Sequence, residues 1–284
     1  MTAKSLSLIT LALLFCAGAA YAVHWGIEEW RYRALLADRA LSAGDRDASV
    51  KPEAICPDPA DSLAFVIFGQ SNAANHGAVR LSAPDGTFDF YDGRCFSGND
   101  PQFSATSNGG SPWPAFAEAL REGGEERPIL WANVAVGNTR ADEWLPGTPN
   151  AVRLQSEAVA LQKNGYRIAA FLFFQGESDQ STQATAYQKS LTEISEMIEE
   201  TAPGTPFILS HSSICGVGTQ PVSALVQART AVARSRQHVH IGPDTDTLGQ
   251  DFRVADGCHF NEAGLRAAGR LWATSVRDII SVND

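Results

Sequence analysis

Hydrophobic positions fall into two rhythms that alternate along the chain. Residues 63–68, 129–136, 168–174, 206–211 and 239–241 are short, nearly unbroken apolar runs, as expected of strands covered on both faces. Residues 113–121, 152–163, 184–200, 223–235 and 262–280 instead repeat apolar positions at helical spacing. The alternation predicts a mainly parallel sheet of five strands with helices on both faces. The last helix is the best specified. Asn261 stands at its N-cap, and Phe260 and Leu265 occupy the two positions of a hydrophobic staple. Leu265, Ala268, Leu271, Trp272, Val276, Ile279 and Ile280 then share one face. That cap sets where the chain enters the helix, and therefore where His259 points.

Two stretches break the alternation. Residues 42–62 are rich in Pro, Asp, Ser and Ala and read as a linker after a helix over 28–41. Residues 78–111, rich in Gly, Asp and Ser, lack a clear period and are too long for an idle connection, so they are expected to line a cleft. Ahead of both, residues 5–23 carry no charge and contain Ala20-Tyr21-Ala22, a small-x-small pattern suited to signal peptidase. The run approaches the ~20 residues that cross a bilayer, so an uncleaved membrane anchor is the alternative, with Trp25, Trp30, Arg31, Tyr32 and Arg33 at the interface. Either way the following domain is expected to be exported: periplasmic, extracellular, or held at a membrane outside the cytoplasm. The organisation we expect is a signal peptide or anchor over 1–22, helix and linker over 23–58, and the main domain over 59–284.

Composition narrows the partners. Lys+Arg 22 against Asp+Glu 32 gives a formal charge of −10 with no basic cluster, so nucleic acid is not an expected partner. Cys16 lies in the leader and leaves Cys56, Cys95, Cys215 and Cys258, an even number that suits an oxidising compartment. Four cysteines allow three pairings, of which we favour Cys56–Cys95 and Cys215–Cys258. No Cys-x-x-Cys or His-x-x-x-His spacing occurs, which disfavours metal binding; no cofactor is expected.

Candidate chemistry sits at strand ends. The stretch "VIFGQSN" runs from a buried-strand pattern through Gly69 into Gln70, Ser71 and Asn72. "AVGNTRADEW" follows the second strand, "FFQGESD" the third, and "DGCHF" precedes the final helix. In a parallel sheet all four stretches gather at the carboxyl edge, where such folds bind ligands. A serine hydroxyl is a poor nucleophile until an imidazole takes its proton. His259 suits that task, and Asp256, three residues earlier, suits holding its tautomer and stabilising the imidazolium. The backbone N–H of Ser71, that of Gly137 or Asn138, and the Gln175 amide are candidate donors to a developing oxyanion. Gln70, Asn72, Arg140 and Glu177 are candidate substrate contacts, with Asn75 and Trp144 as further cleft residues. Glu177 and Asp179 as paired glycosidase carboxylates would leave the serine and histidine unexplained, so fixing their own loop is the better role. Position 73 is alanine, so Ser71 does not lie in the Gly-x-Ser-x-Gly elbow of the α/β-hydrolases.

Together the four stretches resemble the SGNH hydrolases, and most closely the sialate O-acetylesterase-like and acetyl xylan esterase-like carbohydrate esterases, over about residues 63–280. The resemblance implies a flavodoxin-like three-layer α/β/α sandwich around a mainly parallel five-stranded sheet. It also implies Ser71 as nucleophile, His259 as base and Asp256 as its partner, with Gly137 and Gln175 in the oxyanion blocks. Asn138 departs from the family's Gly-Gly pair. The implied activity is removal of O-acetyl groups from carbohydrate through an acyl-enzyme. An O-acyltransferase of polysaccharide and a non-catalytic glycan-binding domain are the alternatives.

Overall fold

The computed structural model describes residues 51–280; the expected leader or anchor, the helix over 28–41 and Cys16 lie outside the described residues. In chain order the strands are β1 (Glu53–Ala54), β2 (Leu63–Gly69), β3 (Thr87–Tyr91), β4 (Arg94–Ser97), β5 (Ile129–Asn133), β6 (Ile168–Phe174), β7 (Phe207–His211) and β8 (Val239–Asp244). The helices are α1 (Trp113–Glu122), α2 (Pro149–Lys163), α3 (Ala184–Thr201), α4 (Ser223–Ser235) and α5 (Glu262–Ile280). The five long apolar runs become β2, β5, β6, β7 and β8, which pair in parallel in the order β5-β2-β6-β7-β8. Counted along the chain, that is the flavodoxin-like order. Connections leave β2 in opposite directions along the sheet, which opens a crevice beyond its carboxyl end. Ser71 is the second residue beyond that end.

Among the described residues the sheet has eight strands rather than five. β3 adds in parallel to β5, β4 pairs antiparallel with β3, and β1 pairs antiparallel with β4. The extra hairpin comes from the stretch expected to lack periodic structure. Its turn is Asp92-Gly93 with φ of 49° and 76°, the left-handed pair that a type I′ hairpin requires. The expected linker is also part of this edge over its described length. Ala54 pairs with Cys95, Cys56 and Cys95 form a disulfide, and Lys51 Nζ donates to the buried Asp89 carboxylate at 2.5 Å. The remainder of 78–111 is held by Asp100, which accepts hydrogen bonds from the N–H groups of Leu81 and Ser111, the Ser111 hydroxyl and the Gln102 amide. Burial pushes Asp100 up to about 6 despite these four bonds.

Two helical layers cover the sheet. On one face Phe65, Ile67, Trp131, Leu172 and Phe174 pack with Trp113 and Phe116 of α1 and with Leu265, Trp272 and Val276 of α5. On the other, Phe68 meets Trp144, Phe173 and Phe207 in the layer of α2, α3 and α4. Each of these large side chains is fully removed from water, worth roughly 1.5–3 kcal/mol of transfer free energy apiece. The α5 entry follows the sequence pattern. Asn261 Oδ1 accepts the Gly264 N–H at 3.0 Å, while Phe260 and Leu265 both join the core. Among the described residues no helix is long and apolar enough to cross a membrane.

Candidate active site

β2 ends abruptly because Gly69 turns the chain at φ 122°, where a Cβ would collide with the Phe174 carbonyl of β6. The Gln70 N–H instead donates to that carbonyl at 3.1 Å, so the loop leaves the sheet tightly against β6. Ser71 follows in a turn in which the Ala73 and Ala74 N–H groups donate back to Gln70 O. Its side chain and its N–H make no hydrogen bond among the described residues, although the residue is buried.

His259 lies on the loop that the α5 cap fixes. Its Nδ1 lies 2.7 Å from Asp256 Oδ2, and Asp256 Oδ1 accepts the N–H groups of Cys258 at 2.7 Å and His259 at 3.0 Å. Burial pulls the Asp256 carboxyl upward, but the Cys258 N–H, the His259 imidazole and the His259 N–H outweigh it and hold Asp256 below the ordinary carboxylate range. With Nδ1 engaged, Nε2 is the nitrogen left for a substrate proton. The serine–imidazole hydrogen bond is not formed in this structure; such bonds tighten when substrate is bound.

Two ties hold the serine and histidine loops together, and a disulfide anchors the histidine loop further. The Asn72 amide donates to Glu177 Oε1 at 2.7 Å and to Cys258 O at 3.3 Å, joining the loops after β2 and β6 to the histidine loop. The Ala78 N–H donates to Phe260 O at 3.0 Å. The Cys215–Cys258 disulfide anchors the residue before His259 to the loop after β7. Both expected cysteine pairings are therefore present.

Several expected contacts have other partners. Gln70 Oε1 accepts the Ser178 N–H at 2.8 Å and the Gln175 amide at 3.0 Å, while Asn72 and Glu177 bind one another, so all three are buried loop ties. Arg140 is exposed and its guanidinium pairs with Asp142. The Gln175 amide nitrogen donates to Gln70, to Thr139 O at 2.6 Å and to Asp179 at 2.8 Å, which turns it away from an oxyanion. Asp179 in turn accepts the Ala141 N–H, in keeping with a carboxylate that fixes loops. The Gly137 N–H donates to Thr106 Oγ1 at 2.8 Å, whereas the Asn138 N–H has no partner among the described residues. Asn138 adopts φ 61° and is exposed. Asn75 is fully buried and bonds Gln102 and Ala105, and Trp144 packs on Phe68, so neither lines a cleft.

Sequence reasoning missed three residues around the pair. His76 stacks on His259 with ring centroids 5.4 Å apart. Its place five residues after Ser71, in the same polar exit from β2, was the available signal. Thr106 bonds both His76 and Gly137. Arg253 is buried, stacks on Phe260 and donates to Cys258 O at 2.5 Å. Burial pulls its guanidinium downward, and Glu177, Asp246 and Asp256 oppose that. Glu177 itself is pushed up by burial.

The arrangement offers a buried hydroxyl, an imidazole oriented by a carboxylate, and Ser71 and Asn138 N–H groups that have no partner among the described residues, which together suit acyl transfer. Solved structures share its frame. A protein from Arabidopsis thaliana superposes with a TM-score of 0.64 at 18% identity, covering 77% of this chain and 98% of that one. A carbohydrate acetylesterase from Xanthomonas citri gives 0.52 at 16%, over 77% and 57%. A family 3 carbohydrate esterase from Talaromyces cellulolyticus gives 0.54 at 11%, over 78% and 99%. At these identities the likeness is one of fold. No curated protein matches the chain. Residues 62–278 match the family described as carbohydrate esterase, sialic acid-specific acetylesterase. The match spans β2 to β8, the serine loop and the histidine loop, and the chain belongs to this family of ester-bond hydrolases.

Proposed function

We propose that the chain is an exported O-acetylesterase of carbohydrate that works through an acetyl–Ser71 intermediate. The observation that carries this reading is the Asp256–His259 pair, closed at 2.7 Å and tied by Asn72 to the loop that holds Ser71. Family membership supplies the ester bond and the carbohydrate. In the first half, Ser71 Oγ attacks the acetyl carbonyl carbon and its proton passes to His259 Nε2. The backbone N–H groups of Ser71 and Asn138 receive the oxyanion. The support for this choice is that the Gly137 and Gln175 donors are already engaged elsewhere. Collapse breaks the bond to the sugar oxygen, which leaves as an alcohol carrying the proton from His259. In the second half a water gives its proton to His259 and attacks the acetyl carbon. Acetate departs, and the proton returns to Ser71. Asp256 stays ionised throughout and stabilises the imidazolium. The charge-free leader and two disulfides favour export.

The test is acetate release by the full chain from a panel of O-acetylated sugars, with an unacetylated glycan added as acceptor. The reading expects acetate in solution, little transfer to the acceptor, and no release by Ser71→Ala. Release at the wild-type rate by Ser71→Ala would rule it out, and transfer in place of release would make the protein an acyltransferase.

A further inference from the structure

Acyl transfer as set out above gives His76 no task, yet three contacts converge on it. Its ring lies face to face with that of His259, centroids 5.4 Å apart and planes inclined by 18°. Its Nε2 stands 3.3 Å from Thr106 Oγ1, the oxygen that also accepts the Gly137 N–H at 2.8 Å. A Cβ on residue 137 would come within 2.6 Å of His76 Nε2, so the glycine keeps open the space the ring fills. Thr106 Oγ1, with one hydrogen to give and two lone pairs to offer, accepts from Gly137 and shares a hydrogen bond with His76 Nε2, so one hydroxyl joins the ring to the Gly137 backbone. Burial first, and then the charge on His259, bring His76 down to about 4, which keeps it neutral near pH 7.

We propose that His76 is a positioning residue for His259: its neutral ring braces the face of the base, and Thr106 ties that brace to the loop carrying Asn138. The inference rests on the esterase reading and adds to it a residue that acts through the base. Asp256 holds one edge of the His259 ring, and that single bond leaves the ring free to swing about it. A flat partner on one face removes the swing and keeps Nε2 aimed at the serine. Neutrality matters because His259 becomes an imidazolium twice per cycle. A π face favours that charge, whereas a second cation 5.4 Å away would oppose it. Asp256 is bonded to the stack through His259 Nδ1, while Arg253 and Glu177 reach the histidine loop through the Cys258 carbonyl and through Asn72. His76 faces only Thr106, Gly137 and His259 among the contacts described above.

The test compares His76→Ala, His76→Phe and His76→Arg in the full chain. It reads kcat and KM on an acetyl ester and the rate at which a fluorophosphonate labels Ser71, each against pH and salt. Loss of the brace is expected to lower kcat and the labelling rate about tenfold in His76→Ala, with KM held within about twofold. His76→Phe restores the flat face and is expected to recover most of the rate. His76→Arg keeps bulk but adds a charge, so it stays slow, most of all at low ionic strength, and salt relieves it. A merely structural residue would make all three variants lose rate in step with their stability. Where His76→Ala fails to fold, the comparison of Phe with Arg decides alone. An active wild type with His76→Ala within about twofold of it, or with Phe no better than Arg, overturns the inference and leaves the esterase standing. A wild type that neither hydrolyses nor labels overturns both.

Discussion

Replacing Cys215 and Cys258 together by alanine separates the two consequences of their disulfide, with the same replacement of Cys56 and Cys95 as the control. The bridges span 43 and 39 residues, nearly equal loops. On the chain-entropy scale each constrains the unfolded state by about 4 kcal/mol. With an unfolding entropy of roughly 0.5 kcal/mol/K for about 230 residues, either loss lowers Tm by about 8 °C. Activity distinguishes them. Cys56–Cys95 joins the short β1 segment to β4 at the far edge of the sheet, whereas Cys258 directly precedes His259. The histidine loop keeps its bonds from Asn72 and Arg253 to Cys258 O, so it loosens without detaching. We expect kcat to fall about tenfold in Cys215→Ala/Cys258→Ala and to stay at the wild-type value in Cys56→Ala/Cys95→Ala. The assay is thermal unfolding by circular dichroism, paired with kcat on an acetyl ester well below both transitions. Equal kcat in the two variants, at equal loss of Tm, would refute the claim that the Cys215–Cys258 bridge positions the base.

Three further outcomes follow from the same geometry. Asn72→Ala strips a buried carboxylate of its donor and cuts the tie to the histidine loop, so it should lower stability by about 2 kcal/mol and kcat with it, measured by urea unfolding and acetate release. Asp256→Asn keeps the size of the side chain but removes the charge proposed to stabilise the imidazolium. It should leave Tm nearly unchanged and reduce kcat about 10²–10⁴-fold, and retention of rate would remove Asp256 from the triad. Asp100 has its folded pKa raised to about 6, so its stabilising contribution is complete below the unfolded value near 4 and is lost as pH rises through 6. Wild-type stability relative to Asp100→Asn should accordingly fall by on the order of 3 kcal/mol from pH 4 to 7, as read from urea midpoints.

Local rules decide how much of this was legible in the sequence. β2 and β6 are buried along their lengths and announce themselves as apolar runs, and α5 shows both its cap and its stripe. The β3–β4 hairpin was missed because its strands are short and their polar members, Asp89 above all, are buried by partners distant in sequence. Asp92-Gly93 was the signal there. The residues proposed as the triad stood out in the sequence because their types and order suit that chemistry. Their supports were not. Gln70, Asn72 and Glu177 look like substrate contacts in one dimension and become loop ties only when β2 and β6 lie side by side. Gln175 is the sharpest case: an amide at a strand end can face the ligand or the neighbouring loop, and here three acceptors take its hydrogens. His76 and Arg253 act through stacking and carbonyl contacts that leave no periodic trace.

The acyl-enzyme itself gives the most direct measurement. The wild-type chain is mixed with an O-acetylated sugar, quenched in acid during turnover and digested, and its peptides are mapped by mass. The account predicts an acetyl group on Ser71, absent when Ser71 is alanine. Turnover at the wild-type rate by Ser71→Ala, or an acetyl group carried on a different side chain, would contradict it.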